Sequence, residues 1–139
     1  MRDYKFRGKR KDNGEWETGF LYCSKNVCRI ITAIAIDKDI DENMWYCEGR
    51  EVDPETVGQY TGRKDKSENR INIFSGDILH CVGIGNNADE EYLAEVVYED
   101  EQAAFMLDVG CELRSFAEMD GLCELFVVGT IYDNPELIP

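Results

Sequence analysis

The residues able to do chemistry in this 139-residue chain are scattered. His80 is the single histidine and stands next to Cys81, which raises a thiol–imidazole pair. Such a pair needs converging side chains, and neighbours on a strand point to opposite faces, so these two cannot form a dyad in an extended segment. Another cysteine could approach His80 in space, but no motif marks one. A zinc site would take His80 with three of Cys23, Cys28, Cys47, Cys81, Cys111 and Cys123, yet no paired C-x-x-C spacing exists. Asp37, Asp39, Asp41 and Glu42 resemble the start of a calcium loop, without its glycine and spaced ligand set. Gly83-Ile84-Gly85 lacks the third glycine and following helix of a dinucleotide fingerprint. No catalytic, cofactor-binding or metal-binding residue is therefore assigned, and the chain is expected to act without a cofactor and not as an enzyme.

Charge is more informative. Residues 1–11 are net +5, residues 12–88 net −6 and residues 89–139 net −13, within a total of −14. An acidic chain repels the phosphate backbone, so direct nucleic-acid binding is disfavoured. Two basic groups stand out: Lys5 and Arg7 on the N-terminal arm, and Arg63, Lys64 and Lys66 on a polar tip that continues to Arg70. Together they make the candidate interaction surface, facing an acidic partner or a neighbouring copy of the chain. For the arm, the competing reading is an edge strand whose aromatics, Tyr4 and Phe6, dock on the core.

These groups must be positioned by short strands. Asp12-Asn13-Gly14 is a hairpin turn between Tyr4–Lys9 and Trp16–Tyr22. Val27–Ile36 is apolar on both alternating faces, which suits a central strand or one covered by a partner subunit. Met44–Cys47 is a further short strand. In Val57–Gly62 the alternation predicts a strand ending at a glycine turn, and Ser75-Gly76-Asp77 turns the chain before Ile78-Leu79. Glu91–Tyr98 and Ala103–Val109 pair across an acidic turn. Ser115-x-x-Glu118 is a capping box for a short helix with Phe116 and Met119 buried, and Leu122–Tyr132 is the last long strand. The irregular cysteine spacing and absence of a secretion signal predict free, mostly buried thiols and a cytoplasmic protein. No run of about eighteen apolar residues occurs, so no membrane partner is expected.

The segments VDPETVGQYTGRKD (Val52–Asp65) and IFSGDI (Ile73–Ile78), with RDYKFRGK (Arg2–Lys9) and VVGTIYDNPEL (Val127–Leu137), resemble the YopX family of bacteriophage and prophage proteins. The resemblance implies a phage-derived, mostly β protein able to self-associate; it brings no activity with it. The expected fold is mainly β, a β-dominated α+β arrangement of antiparallel strands with one or two short helices and a small barrel-like C-terminal half, in a single domain spanning 1–139. The functional expectation is a non-catalytic interaction protein forming a homo-oligomer or binding a host or phage protein. The alternative is an acidic DNA mimic that occupies a host DNA-binding protein, with Glu91, Glu95, Glu99 and Glu101 as an evenly spaced row.

Overall fold

The computed structural model describes residues 3–36 and 45–138. The acidic loop Asp37–Glu42 and Met44 lie outside the described residues. The chain divides into two compact units, Met1–Gln59 and Tyr60–Pro139.

In the first unit, Phe6–Lys9 (β1), Trp16–Ser24 (β2), Val27–Ile36 (β3) and Trp45–Val52 (β4) form an antiparallel meander. Phe6 and Arg7 also pair with Gln59 and Gly58, where Gly58–Lys64 (β5) begins. The N-terminal strand is thus internal, correcting the edge-strand expectation. Gly8 explains its packing: a Cβ there would meet Val52 Cγ2 at 2.8 Å, so only glycine lets β1 lie against the buried Val52. Asp53 then caps a 3-10 turn, Pro54–Thr56, by accepting from Glu55 N–H at 3.0 Å. The Thr56 hydroxyl donates to the Asp53 carbonyl at 2.7 Å and accepts the Lys9 N–H at 2.9 Å. The Val-Asp-Pro-Glu-Thr run is a staple between two strands.

β3 is a central strand, as its composition predicts, but its two faces differ. Leu21, opposite Ile30, packs on the inner face, where Cys28, Ile30 and Val52 are buried. Phe20 opposite Ile31 and Tyr22 opposite Arg29 face outward. A register shift between Ile31 and Ala33 inserts one residue, and by strand alternation returns Ile34 to the outer face.

In the second unit, the rest of β5 pairs with Asn72–Phe74 (β6). Gly62, with φ +87°, lies inside β5 where the register shifts, so this glycine makes a bulge and does not end the strand. Asp77–Gly83 (β7), Glu91–Glu99 (β8), Ala104–Asp108 (β9), Leu113–Ser115 (β10) and Cys123–Thr130 (β11) form an antiparallel sheet in the order β10-β9-β8-β7-β11. Before β11 comes a single α-helix, Phe116–Asp120 (α1). Ser115 Oγ accepts from Glu118 N–H at 3.1 Å, and Phe116 and Met119 are buried, as the capping box predicts.

This sheet is open, which overturns the barrel-like C-terminal half. Closure would need a ladder between β10 and β11. Instead, the free groups of β11 go elsewhere: the Leu125 carbonyl accepts from Lys66 N–H at 3.0 Å, and Val127 N–H donates to Asp65 Oδ2 at 3.1 Å. The core of the second unit is a cluster built on Leu79, Cys81, Ala94, Val96, Leu107 and Met119.

Candidate interaction surfaces

The β5–β6 tip is built around Asp65, which is almost fully buried between two exposed lysines. Its Oδ1 accepts from Ser67 N–H at 3.1 Å, Ser67 Oγ at 2.6 Å and Ile71 N–H at 2.9 Å, while Oδ2 takes Val127 N–H. Burial by itself would push this carboxyl's pKa up. The bonds from the Ser67 hydroxyl and the Val127, Ile71 and Ser67 N–H groups outweigh it and hold the pKa below the ordinary value. One carboxylate thus fixes the course of the tip. Around it, Arg63, Lys64, Lys66 and Arg70 line a concavity of about 350 Å³ with Asp120 at its side. Arg63 ion-pairs with Asp120 through Nη2, and its guanidinium carbon lies 5.1 Å from the Phe116 ring centroid. The structure therefore brings Arg63, Lys64 and Lys66 together. It adds Arg70, already visible as part of the basic tip, and Asp120, Cys123 and Leu125, which arrive from α1 and β11 with no local sequence signal.

Lys5 and Arg7 belong to the first unit and are differently employed. Lys5 Nζ pairs with Asp3 at 3.0 Å. Arg7 is stacked at 4.6 Å over the Trp16 ring, with Lys9 at 5.6 Å over the same ring. Phe6 packs against the small core while Tyr4 is exposed, so one of the two expected aromatic anchors docks.

The outer face of β2–β3 carries four of the first unit's exposed large apolar residues, besides Tyr4 and Tyr46 elsewhere. Phe20 is 63 % exposed, Tyr22 61 % and Ile34 60 %, with Val27 also exposed. These side chains leave that sheet face apolar and open to solvent.

The thiols do not converge on His80. Cys81 and Cys123 are buried in the core, and burial followed by the neighbouring Cys123 pushes the Cys81 thiol up to about 12. Burial also raises Cys123. Such thiols hold almost no thiolate at neutral pH. His80 is half-exposed and its Nε2 contacts Glu91. Cys47 and Cys111 are exposed and free. Cys23 and Cys28 form a disulfide, against the expectation of free thiols throughout: they sit directly opposite each other on β2 and β3, with Cα atoms 4.1 Å apart. No group of three or more metal-binding side chains occurs among the described residues.

The acidic row is partly consumed. β8 places Glu91, Glu95 and Glu99 on one face, but Glu91 is held by His80, and Glu95 lies directly opposite Asp108 on β9. Burial first, then Asp108, raises the Glu95 pKa.

Comparison with known proteins agrees with this architecture. A family model described as YopX protein matches residues 5–139. The crystal structure of protein EF1440 from Enterococcus faecalis is similar to this chain with a TM-score of 0.62 and 22 % identity, covering 100 % of both chains. No curated protein matches. Among the described residues no helix is long and apolar enough to cross a membrane.

Proposed function

The chain belongs to the YopX family of phage proteins, and on that premise we propose that it is a non-catalytic interaction protein that self-associates through the outer face of β2–β3. The observation carrying this reading is the patch of Phe20, Tyr22 and Ile34, each at least 60 % exposed on one sheet face. Leaving such surface in water is unfavourable by roughly 25 cal/mol per Å², and a two-fold contact would cover the same patch on both copies. Charge points to a second copy as the occupant. Ten basic and twelve acidic side chains give residues 1–59 a net charge of only −2, whereas residues 60–139 carry −12. Two copies meeting through their first units bring the least like charge together.

Sedimentation across a range of protein concentrations tests the reading. The parent chain is expected to have a mass above that of one chain, and Phe20→Ser with Tyr22→Ser to return it to a folded monomer whose unfolding midpoint no longer depends on protein concentration. A parent that stays monomeric at every concentration ends the proposal. The alternative, acidic mimicry of DNA by an inhibitor of a host DNA-binding protein, draws support from the −12 of residues 60–139. Its mark would be a host DNA-binding protein retained from lysate at low salt and released at high salt.

A further inference from the structure

Three cations of the second unit share one concavity without a carboxylate partner of their own among the described residues. Lys5, Arg10, Lys11, Arg63 and Arg114 each face a carboxylate. Lys64, Lys66 and Arg70 make no ion pair among the described residues, although the chain carries 29 acidic side chains to 15 basic ones. All three line the same concavity, whose apolar floor is the buried Ile73, Cys123 and Leu125.

Their placement is imposed by the backbone. Asp65 ties the tip through four hydrogen bonds, two of them from Ile71 and Val127. Lys66 N–H is bonded to Leu125 on β11, and Arg70 N–H to the Ser67 carbonyl at 3.1 Å. Arg70 itself sits at φ +52°, an uncommon conformation for a residue with a side chain. Unpaired like charges held near one another repel, and an anion placed among them relieves that repulsion without reorganising the loop. With Arg63 the lining holds four cations against the one carboxylate of Asp120, a surplus of three charges.

We propose that this concavity is a binding site for a small diphosphate anion, its phosphates held by Lys64, Lys66 and Arg70. The charge surplus suits a di- or trianion better than a single carboxylate. The volume is within the range of small-molecule sites. The −12 carried by residues 60–139 repels a long polyanion while leaving room for a short one. The site stands independently of self-association, because it uses other residues.

Titration calorimetry on the full chain at low salt, with inorganic pyrophosphate and with ADP as probes, tests it. Both are expected to bind, through the diphosphate they share. Lys64→Ala with Lys66→Ala should weaken ADP at least about tenfold, from the loss of two charged hydrogen bonds, while Lys64→Arg with Lys66→Arg retains it. Amide shift perturbation in the unsubstituted chain, confined to residues 63–73 and 120–127, gives a readout free of any folding defect. Silence with both probes at millimolar concentration overturns the proposal, as does equal ADP affinity in the double alanine variant. Tighter binding of a short single-stranded oligonucleotide than of ADP overturns it in favour of a polymer site.

Discussion

Residues 60–139 gather ten buried side chains into one cluster around β7, β8, β9 and α1, while residues 1–59 assemble a cluster of three: Cys28, Ile30 and Val52. The two units have similar strands, so the difference lies in what covers the sheet. In the second unit, α1 brings Phe116 and Met119 into the cluster, and the tip at Asp65 caps the outer edge of β11. In the first, the described residues offer nothing comparable to the outer face of β2–β3, and Phe20, Tyr22 and Ile34 remain bare. A sheet buried on one face can persist by itself, but its other face is then available to a partner. The second unit has the larger core and is heavily charged; the first is close to neutral and, among the described residues, has one sheet face uncovered.

Substitutions in the two units should separate these roles. Leu107→Ala, at a fully buried position, is expected to cost about 2–5 kcal/mol in denaturant unfolding, whereas Phe20→Ser should leave the monomer's unfolding midpoint almost unchanged. Equal losses from both would mean that Phe20 supports its own sheet, and the comparison would fail. Asp65→Asn should cost about 1–3 kcal/mol, because it disturbs a buried acceptor of four hydrogen bonds. Its pH dependence has a definite sign. With the native pKa held below the unfolded value, the carboxylate stabilises the fold at neutral pH and loses that contribution as pH falls through the native pKa. The gap between parent and variant should therefore close in acid, and a gap independent of pH would show that the ionised form is not what holds the tip.

Glu95→Gln should act in the opposite direction. Its raised pKa means that whatever Glu95 contributes is present in acid and lost as pH rises through the native pKa, so glutamine should stabilise the protein at neutral pH. Relieving the like-charge pair with Asp108 is worth about 0.2–1 kcal/mol, and thermal melts at neutral and acid pH should show the gain disappearing in acid. The smallest effect is a chemical one without consequence for the fold. Under native conditions alkylation should mark Cys47 and Cys111 rapidly and leave Cys81 and Cys123 slow until the protein unfolds. Fast labelling of Cys81 would contradict the sealed core of the second unit.

The turn chemistry was largely legible in the residues themselves. Asp12-Asn13-Gly14, the Ser115 capping box and the helix it starts, the β8–β9 hairpin and the central position of β3 follow from local φ preferences, side-chain caps and period-two alternation. Three acidic residues of the family segments proved to be backbone staples: Asp53 on Glu55, Asp65 on the tip, Asp77 on Phe74 N–H at 2.8 Å. Gathering Arg63, Lys64 and Lys66 was also readable, because they are neighbours in the chain. Asp120 and Leu125 were not, since they join that site from more than fifty residues away.

Composition and alternation alone thus determined the antiparallel β character, the turns and the charge asymmetry, because each depends on residues within a few positions of one another. Tertiary structure decided whether the last sheet closed, which cysteines faced each other, and which face of β3 was covered. Those outcomes depend on where unpaired N–H and C=O groups find partners across long loops. The carboxylate of Asp65 takes the Val127 N–H that a closing strand would have needed, and the sheet is open.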